Sequence, residues 1–127
     1  MFESNRSITL TPVTANLINQ NRFVAIGANG EVDESTAASD SVGVSLEASA
    51  AASGAVIPVA ILDGSKVEVV AGAAVAAGVR VMSDATGRAV TATGATARVL
   101  GWSVTASANA DEVITIVSSK ASGEFVA

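Results

Sequence analysis

Short valine-rich runs recur along the chain, most of them alternate apolar and polar residues, and turn-forming residues separate them. The clearest runs are residues 56–62, 66–70, 79–83, 99–106 and 112–118. Alternation with a period of two is typical of strands that bury one face, and the spacing of an amphipathic helix is nearly absent. The pattern therefore predicts an all-β domain, built either as a small β-barrel or as a sandwich.

Composition limits the core that such a domain can build. The 127 residues include 26 alanines and 19 valines, against seven isoleucines, five leucines and three phenylalanines. Valine, isoleucine, leucine and phenylalanine make up 34 of the 127 positions, above the level of roughly 20% below which disorder is expected. Because alanine buries little area, we expect a thin valine core and association with partners that cover further apolar surface.

Several classes of function are excluded or disfavoured by the residue types. The formal net charge is −5 and the seven basic residues are scattered, which disfavours nucleic-acid binding. The longest uncharged apolar stretch, residues 69–79, falls well short of the roughly 20 residues that span a bilayer, so no membrane association is expected. No secretory signal is apparent at the N-terminus.

Reactive side chains are scarce. The chain has no cysteine and no histidine, which removes disulfides, thiolate ligands and every Ser-His or Cys-His pair. Adjacent carboxylates occur at Asp33-Glu34 and Asp111-Glu112, and together with Glu31 and Asp40 the first pair offers acids without the order of an EF-hand. We therefore expect no enzyme activity, no cofactor and no metal, with a weak ion site as the remaining alternative.

Three antiparallel hairpins are predicted where turn residues separate two strand runs. Their turns are Asp63–Ser65, Asp84–Gly87 and Ser107–Asp111. Asp-Gly and a closing glycine supply the positive φ that such turns require. In the third hairpin, alternation places Leu100 and Trp102 on the same face, and we expect this face to be buried.

Three segments lack a clear strand pattern. Residues 31–41 and 47–54 carry few large side chains and are predicted to be surface loops, although the second is rich enough in alanine for a short helix. Residues 71–78 are bounded by small residues and glycine, which makes a single helical turn plausible between two strands.

The chain resembles itself when it is shifted by about 57 residues. The matching segments are 24–30 with 81–87, 41–49 with 99–107, and 56–60 with 113–117. Three strands therefore recur in the same order, which predicts a domain over residues 22–118 made of two similar halves, 22–62 and 79–118. The alternative is coincidence in a chain rich in alanine, glycine, serine and valine.

The remaining residues flank this domain. Residues 1–21 are predicted to be an extended N-terminal arm and residues 119–127 a C-terminal tail. The arm alternates over residues 7–14 but matches nothing in the repeat. It is either a frayed terminus or a strand that adds to the edge of a neighbouring sheet.

Pro58 lies inside a run that is apolar on both faces. Because proline cannot donate to the sheet ladder, it is confined to edge strands, strand starts or bulges. An apolar edge strand needs a cover, and a homo-oligomeric interface would provide one. We therefore predict a subunit interface formed by Val56, Ile57, Val59 and Ile61.

Three stretches together resemble a known family. They are VEVVAGAAVAAGVRVMSDATGRAV (67–90), ARVLGWSVTASANADEVITIVSS (97–119) and VGVSLEAS (42–49). Their succession of strands, small-residue links and turns resembles small bacteriophage head decoration proteins, also called capsid cement proteins, over residues 22–118. The resemblance implies a β-barrel or β-tulip subunit without catalytic residues, which oligomerises, with a trimer favoured.

The same resemblance implies a partner and a location. The partner would be the major capsid protein, bound on the outer surface of an expanded icosahedral shell after synthesis in the bacterial host cytoplasm. As a hypothesis, the capsid contact is assigned to Phe2, Ile8, Leu10 and Val13. Two alternatives stay open: a carbohydrate-binding or adhesive module of a fibre, and a self-assembling tail or shell subunit.

Overall fold

The computed structural model describes residues 7–10, 18–28, 30–48, 56–118 and 124–125. Every regular element among these residues is a β-strand, and no helix in them could cross a membrane. The strands are β1 (Ser7–Leu10), β2 (Phe23–Ile26), β3 (Val32–Glu34), β4 (Gly43–Ser45), β5 (Ile57–Ile61), β6 (Lys66–Val70), β7 (Arg80–Ser83), β8 (Ala89–Thr91), β9 (Arg98–Val99), β10 (Gly101–Ser103), β11 (Val113–Ser118) and β12 (Glu124–Phe125).

Ten of these strands form two antiparallel five-stranded sheets. The first sheet has the order β1-β5-β4-β2-β3 and the second has the order β6-β11-β10-β7-β8. The short strands β9 and β12 form a separate pair. The all-β prediction is confirmed, in the form of a sandwich, since the described strands do not close into a barrel.

The two sheets repeat one pattern. The order of the second sheet follows from the first when β1, β2, β3, β4 and β5 are replaced by β6, β7, β8, β10 and β11. The strand β1 thus holds the place that β6 holds in the second sheet, although sequence comparison matched it to nothing. The limits drawn for the arm, the halves and the tail stay predictions.

Hydrogen bonds of individual serines repeat as well. The Ser45 hydroxyl donates to the Asn19 carbonyl at 2.6 Å, and the Ser103 hydroxyl donates to the Ala76 carbonyl at 2.6 Å. Each serine oxygen also accepts the backbone N–H of the residue just before the second strand of its half. The donors are Arg22 for Ser45, at 3.1 Å, and Val79 for Ser103, at 3.0 Å. Each half therefore uses a buried serine to fix the chain that enters its second strand.

Two of the three predicted hairpins are confirmed and one is wrong. The strands β7 and β8 pair with each other, as do β10 and β11. The strands β5 and β6 exist, but β6 pairs with β11, and the Asp63–Ser65 turn carries the chain from the first sheet to the second. Ser118 fastens this crossover, because its hydroxyl accepts the Gly64 N–H at 3.2 Å and donates to the Ser65 carbonyl at 2.9 Å.

Two further local predictions are wrong. The predicted loop over residues 31–41 contains the strand β3, which pairs with β2. Residues 71–78 do not form a helical turn: their backbone bridges Val75 to Ser107 instead. In the predicted loop over residues 47–54, residues 49–54 lie outside the described part of the chain.

The strand β5 is not an edge strand, because β1 of the same chain pairs with it. In this register Thr9 faces Pro58. On the other side, the Leu46 N–H donates to the Pro58 carbonyl at 3.0 Å. Pro58 has no N–H to donate to the Leu46 carbonyl. The Gln20 side-chain amide donates to that carbonyl instead, at 3.1 Å. The cover that the apolar strand needs therefore comes from within the chain.

The main core lies between the sheets. From the first sheet it takes Phe23, Val44 and Ala60, and Leu62 follows from the crossover. From the second sheet and the segments beside it, the core takes Val67, Val69, Ala71, Val75, Val81, Ala89, Leu100, Ile114 and Ile116. A second cluster lies on the other face of the first sheet and contains Ile18, Val24, Val32, Ile57 and Val59.

Two glycines allow neighbouring strands to approach each other closely. A Cβ at Gly43 would collide with the Ala60 carbonyl, and a Cβ at Gly101 would lie 2.5 Å from the Val117 carbonyl oxygen. Both obstacles are backbone atoms of the adjacent strand, so neither can move without disturbing the sheet. The repeat therefore keeps glycine at equivalent places for a steric reason.

We predict that Gly101→Ala lowers the free energy of unfolding by about 1–3 kcal/mol, because the new methyl group overpacks the sheet. The matched control is Gly27→Ala, where the nearest atom is an ordinary 3.6 Å away. Urea denaturation of both variants measures the difference. Equal stability of the two variants would contradict the close approach of β10 and β11.

Asp84 organises the turn between β7 and β8. Its Oδ1 accepts the backbone N–H groups of Thr86 and Arg88, each at 2.9 Å, and its Oδ2 accepts the Arg88 Nε–H at 2.9 Å. Burial acts to raise the pKa of Asp84, but the hydrogen bonds from Arg88 and Thr86 outweigh it and lower the pKa below its ordinary value of 3.8. Arg88 also contacts Asp111 at 3.1 Å.

We predict that Asp84→Asn lowers the free energy of unfolding by about 1–2 kcal/mol at neutral pH, since charge-assisted hydrogen bonds are lost. The folded pKa lies below the unfolded one, so this contribution is present above about pH 3.8 and is lost as the pH falls toward the folded pKa. Denaturation at several pH values should show the deficit shrinking in acid. The control Glu47→Gln changes an exposed carboxyl group and should be neutral.

Candidate functional site

Most of the exposed large hydrophobic side chains among the described residues lie on the outer face of the second sheet. Four of their six exposed large hydrophobic side chains lie here: Trp102, Val104, Val113 and Val117. We call these four residues and Arg80 the Trp102 face. Exposed apolar groups that are clustered in this way mark interaction sites, whereas scattered ones do not.

Strand register explains why these side chains share a face. Trp102 lies opposite Val117 on one side and opposite Arg80 on the other. The Val104 N–H donates to the Thr115 carbonyl, which places Val104 beside the same strand. The intervening Gly101 and Ser103 are buried, so the tryptophan points away from the core.

The prediction that Trp102 is buried with Leu100 is wrong. Leu100 is 1% exposed and Trp102 is 44% exposed. The strand β9 ends at Val99 and β10 begins at Gly101, and both Val99 and Leu100 are buried across this break. The predicted alternation assumes an unbroken strand, and the break shifts the pattern by one residue, which moves every later side chain to the opposite face.

Arg80 places a positive charge on the Trp102 face. Its guanidinium carbon lies 5.3 Å from the centre of the Trp102 ring. A cation held over an indole ring is stabilised by about 0.5–1 kcal/mol at an exposed site. The face therefore combines a large aromatic group with arginine, the two side chains that dominate binding energy in protein interfaces.

The repeat shows that the same face is covered in the first sheet. By position in the repeat, Arg80, Trp102 and Val117 correspond to Phe23, Val44 and Ala60. Those three residues are buried against the second sheet. The alignment of the two halves already paired Trp102 with Val44. It did not show that the Val44 side of the first sheet is buried while the Trp102 side of the second sheet is exposed.

An acidic groove lies at the other sheet. Ala25, Ile26, Asp40, Ser41 and Val42 line an open space of about 250 Å³, and Ile26 is 48% exposed. A neighbouring space of about 370 Å³ adds acidic side chains, among them Glu31, Asp33 and Glu34. We call the residues that line these two spaces the acidic groove.

The carboxylates of the groove do not assemble a metal site in the described residues. Glu34 Oε2 accepts the backbone N–H of Asn19 at 2.8 Å and its side-chain amide at 3.0 Å. Asp40 Oδ1 accepts the Ser41 N–H at 2.9 Å. No three ligand-type side chains in the described part of the chain lie close enough together to hold an ion.

The predicted capsid-contact residues are only partly described. The backbones of Ile8 and Leu10 belong to β1, where they pair with Val59 and Ile57. Phe2 and Val13 lie outside the described residues. The structure therefore brings the middle of the arm into the first sheet, and the contact itself stays a prediction.

The predicted subunit-interface residues lie in different environments. Ile57 and Val59 are buried in the second core cluster, so their side chains have almost no surface to offer another subunit. Val56 is 58% exposed and Ile61 is half-buried. The predicted interface can therefore involve Val56 and part of Ile61, and the sequence pattern did not separate these two from their buried neighbours.

An all-β sandwich with a broad apolar outer face is typical of a structural binding protein. The chain belongs to the phage cement protein family, whose sequence model matches residues 2–118. It is thus a structural component of a phage virion that associates with the capsid. The resemblance to capsid cement proteins that the sequence showed is confirmed.

A solved structure supports the fold. The chain is similar to the N base of head fibre gp8.5 of bacteriophage phi29, with a TM-score of 0.72 at 18% identity. The alignment covers 91% of this chain and 97% of that one. No curated protein matches the sequence.

We predict that Trp102→Ala changes the free energy of unfolding by less than about 1 kcal/mol, since half of the side chain is already in water. Leu100→Ala, the buried control two residues away, should cost about 2–5 kcal/mol. Urea denaturation measures both. A Trp102→Ala cost as large as that of Leu100→Ala would show that the tryptophan belongs to the core.

Proposed function

We propose that this protein binds the outer surface of the major capsid protein shell and stabilises the expanded form of that shell. The observation that carries the proposal is the match of the phage cement protein family to residues 2–118. The exposed apolar surface supports it, because a cement protein acts through contact area and requires no reactive side chain.

The proposed mechanism is bridging. An oligomer that touches several capsid subunits at once gains effective concentration, and its avidity can exceed single-site affinity by about 10² to 10⁴. A protein that binds only the expanded lattice also stabilises that lattice by linkage. We propose a homo-oligomer, with a trimer favoured, that is made in the bacterial host cytoplasm.

Two groups of residues are proposed for these contacts. Phe2 and Val13, together with the β1 residues Ile8 and Leu10, are proposed to contact the shell. Val56 is proposed to contribute to contacts between subunits with the exposed part of Ile61, since Ile57 and Val59 are withdrawn into the core.

We expect the purified protein to co-sediment with expanded capsids that lack it, and to raise the temperature at which those capsids rupture. Unexpanded capsids should bind much less, because their lattice presents different subunit spacings. Phe2→Ser and Val13→Ser should weaken binding to the shell, whereas Glu47→Gln should leave it unchanged. Equal binding to both capsid forms, or to neither, would contradict the proposed function.

A fibre module that binds carbohydrate is the second candidate, and the exposed Trp102 is the observation that favours it. Sugars stack on exposed aromatic rings, and this indole is nearly half exposed. A glycan array separates the two functions. Binding of a glycan that is lost in Trp102→Ala, without binding to capsids, would favour the fibre module.

A further inference from the structure

We propose that the Trp102 face of one subunit docks into the acidic groove of a second copy of this chain. This inference deepens the proposed oligomer and does not depend on how the shell is bound. It assigns the contact to surfaces on different sheets of the sandwich, away from Val56.

The Trp102 face requires a cover because its counterpart in the repeat has one. Phe23, Val44 and Ala60 of the first sheet pack against apolar residues of the second sheet. At the corresponding places the second sheet carries Arg80, Trp102 and Val117, and of these Trp102 is 44% and Val117 38% exposed. The replacement of phenylalanine by arginine indicates that the missing cover is a partner with negative charge.

The acidic groove supplies the matching chemistry. Ala25, Val42, the half-exposed Ile26 and Asp40 line its first space, and Asp33 lines the neighbouring one. An open space of about 250 Å³ can receive an aromatic side chain on an apolar floor. The carboxylates around it would then lie near the guanidinium that Arg80 holds over the ring, which is charge complementarity of the kind that selects partners.

Other arrangements of two copies fit the structure less well. If two Trp102 faces met around a two-fold axis close to Arg80, each Arg80 would approach the other, and like charges oppose association. Next to the groove, the rest of the outer face of the first sheet is occupied by the cluster of Ile18, Val24 and Val59, against which Val42 packs. The contact is therefore heterologous: each subunit gives one surface to one neighbour and the other surface to the next.

The protein carries its own reporter for this contact. Trp102 is the only tryptophan and the chain has no tyrosine, so its fluorescence arises from the Trp102 face alone. As the concentration of wild-type protein increases, we expect the mass from sedimentation equilibrium to exceed one chain. The emission maximum should move to shorter wavelength over the same range, and added salt should reverse both changes.

Single substitutions should weaken this association by about tenfold or more. The variants are Trp102→Ala, Arg80→Glu and Asp40→Arg. The control is Glu47→Arg, which reverses an exposed charge outside both surfaces and should leave the association unchanged. Arg80→Glu combined with Asp40→Arg in one chain should recover most of the lost affinity, because the pair of charges is exchanged.

Mixing two defective variants tests the heterologous geometry directly. Trp102→Ala retains an intact groove and Asp40→Arg retains an intact face, so each should be monomeric alone and the mixture should form a complex of two chains. All tryptophan emission in that mixture comes from the Asp40→Arg chain, and it should shift to shorter wavelength. A mixture that stays monomeric would overturn the proposal.

The outcome also separates this contact from the proposed function. Wild-type protein that stays monomeric with unchanged emission, while Trp102→Ala weakens binding to expanded capsids, would make the shell the occupant of the face and overturn the inference. Loss of association in Val56→Ala but not in Trp102→Ala would overturn it as well. Self-association as described without capsid binding would contradict only the proposed function.

Discussion

The packing of one sheet on the other is the interaction on which the rest of this structure depends. Phe23 and Leu62 are the largest side chains that the first half contributes, and valines, isoleucines, alanines and a leucine from residues 67–116 surround them. Within each sheet, Gly43 and Gly101 leave room for a carbonyl group of the neighbouring strand that a Cβ would displace. Buried serines complete the interior by binding carbonyls of the adjoining segments.

The strands themselves could be predicted because alternation and turn residues are local properties. Pairing is not local, and this is where prediction failed. The Asp63–Ser65 turn has the composition of a hairpin, but the serine that binds it, Ser118, comes more than fifty residues later. The pairing of β1 with β5 was not predicted for the same reason, because the residues of a strand do not show which distant strand pairs with it.

The candidate site was less predictable than the fold. A lone tryptophan among valines is usually a core residue, and only the break at Leu100 turns Trp102 outward. The acidic groove was visible as a cluster of acids, but the exposed Ile26 beside it could not be distinguished from a core residue of β2. The family could be recognised because its pattern is a succession of strands and small-residue links, and such a succession is visible in the order of residues along the chain.

The duplicated architecture has a direction. The two sheets pack through non-equivalent faces. The face of the first sheet that carries Phe23 and Val44 packs on the second sheet, whereas the equivalent face of the second sheet, which carries Arg80 and Trp102, points outward. A stack of this kind has two unlike ends. One end is closed by the cluster around Ile18 and Ile57, while the other presents an indole under a guanidinium. The two outer faces of the sandwich therefore differ in chemistry, although the two sheets have the same strand order.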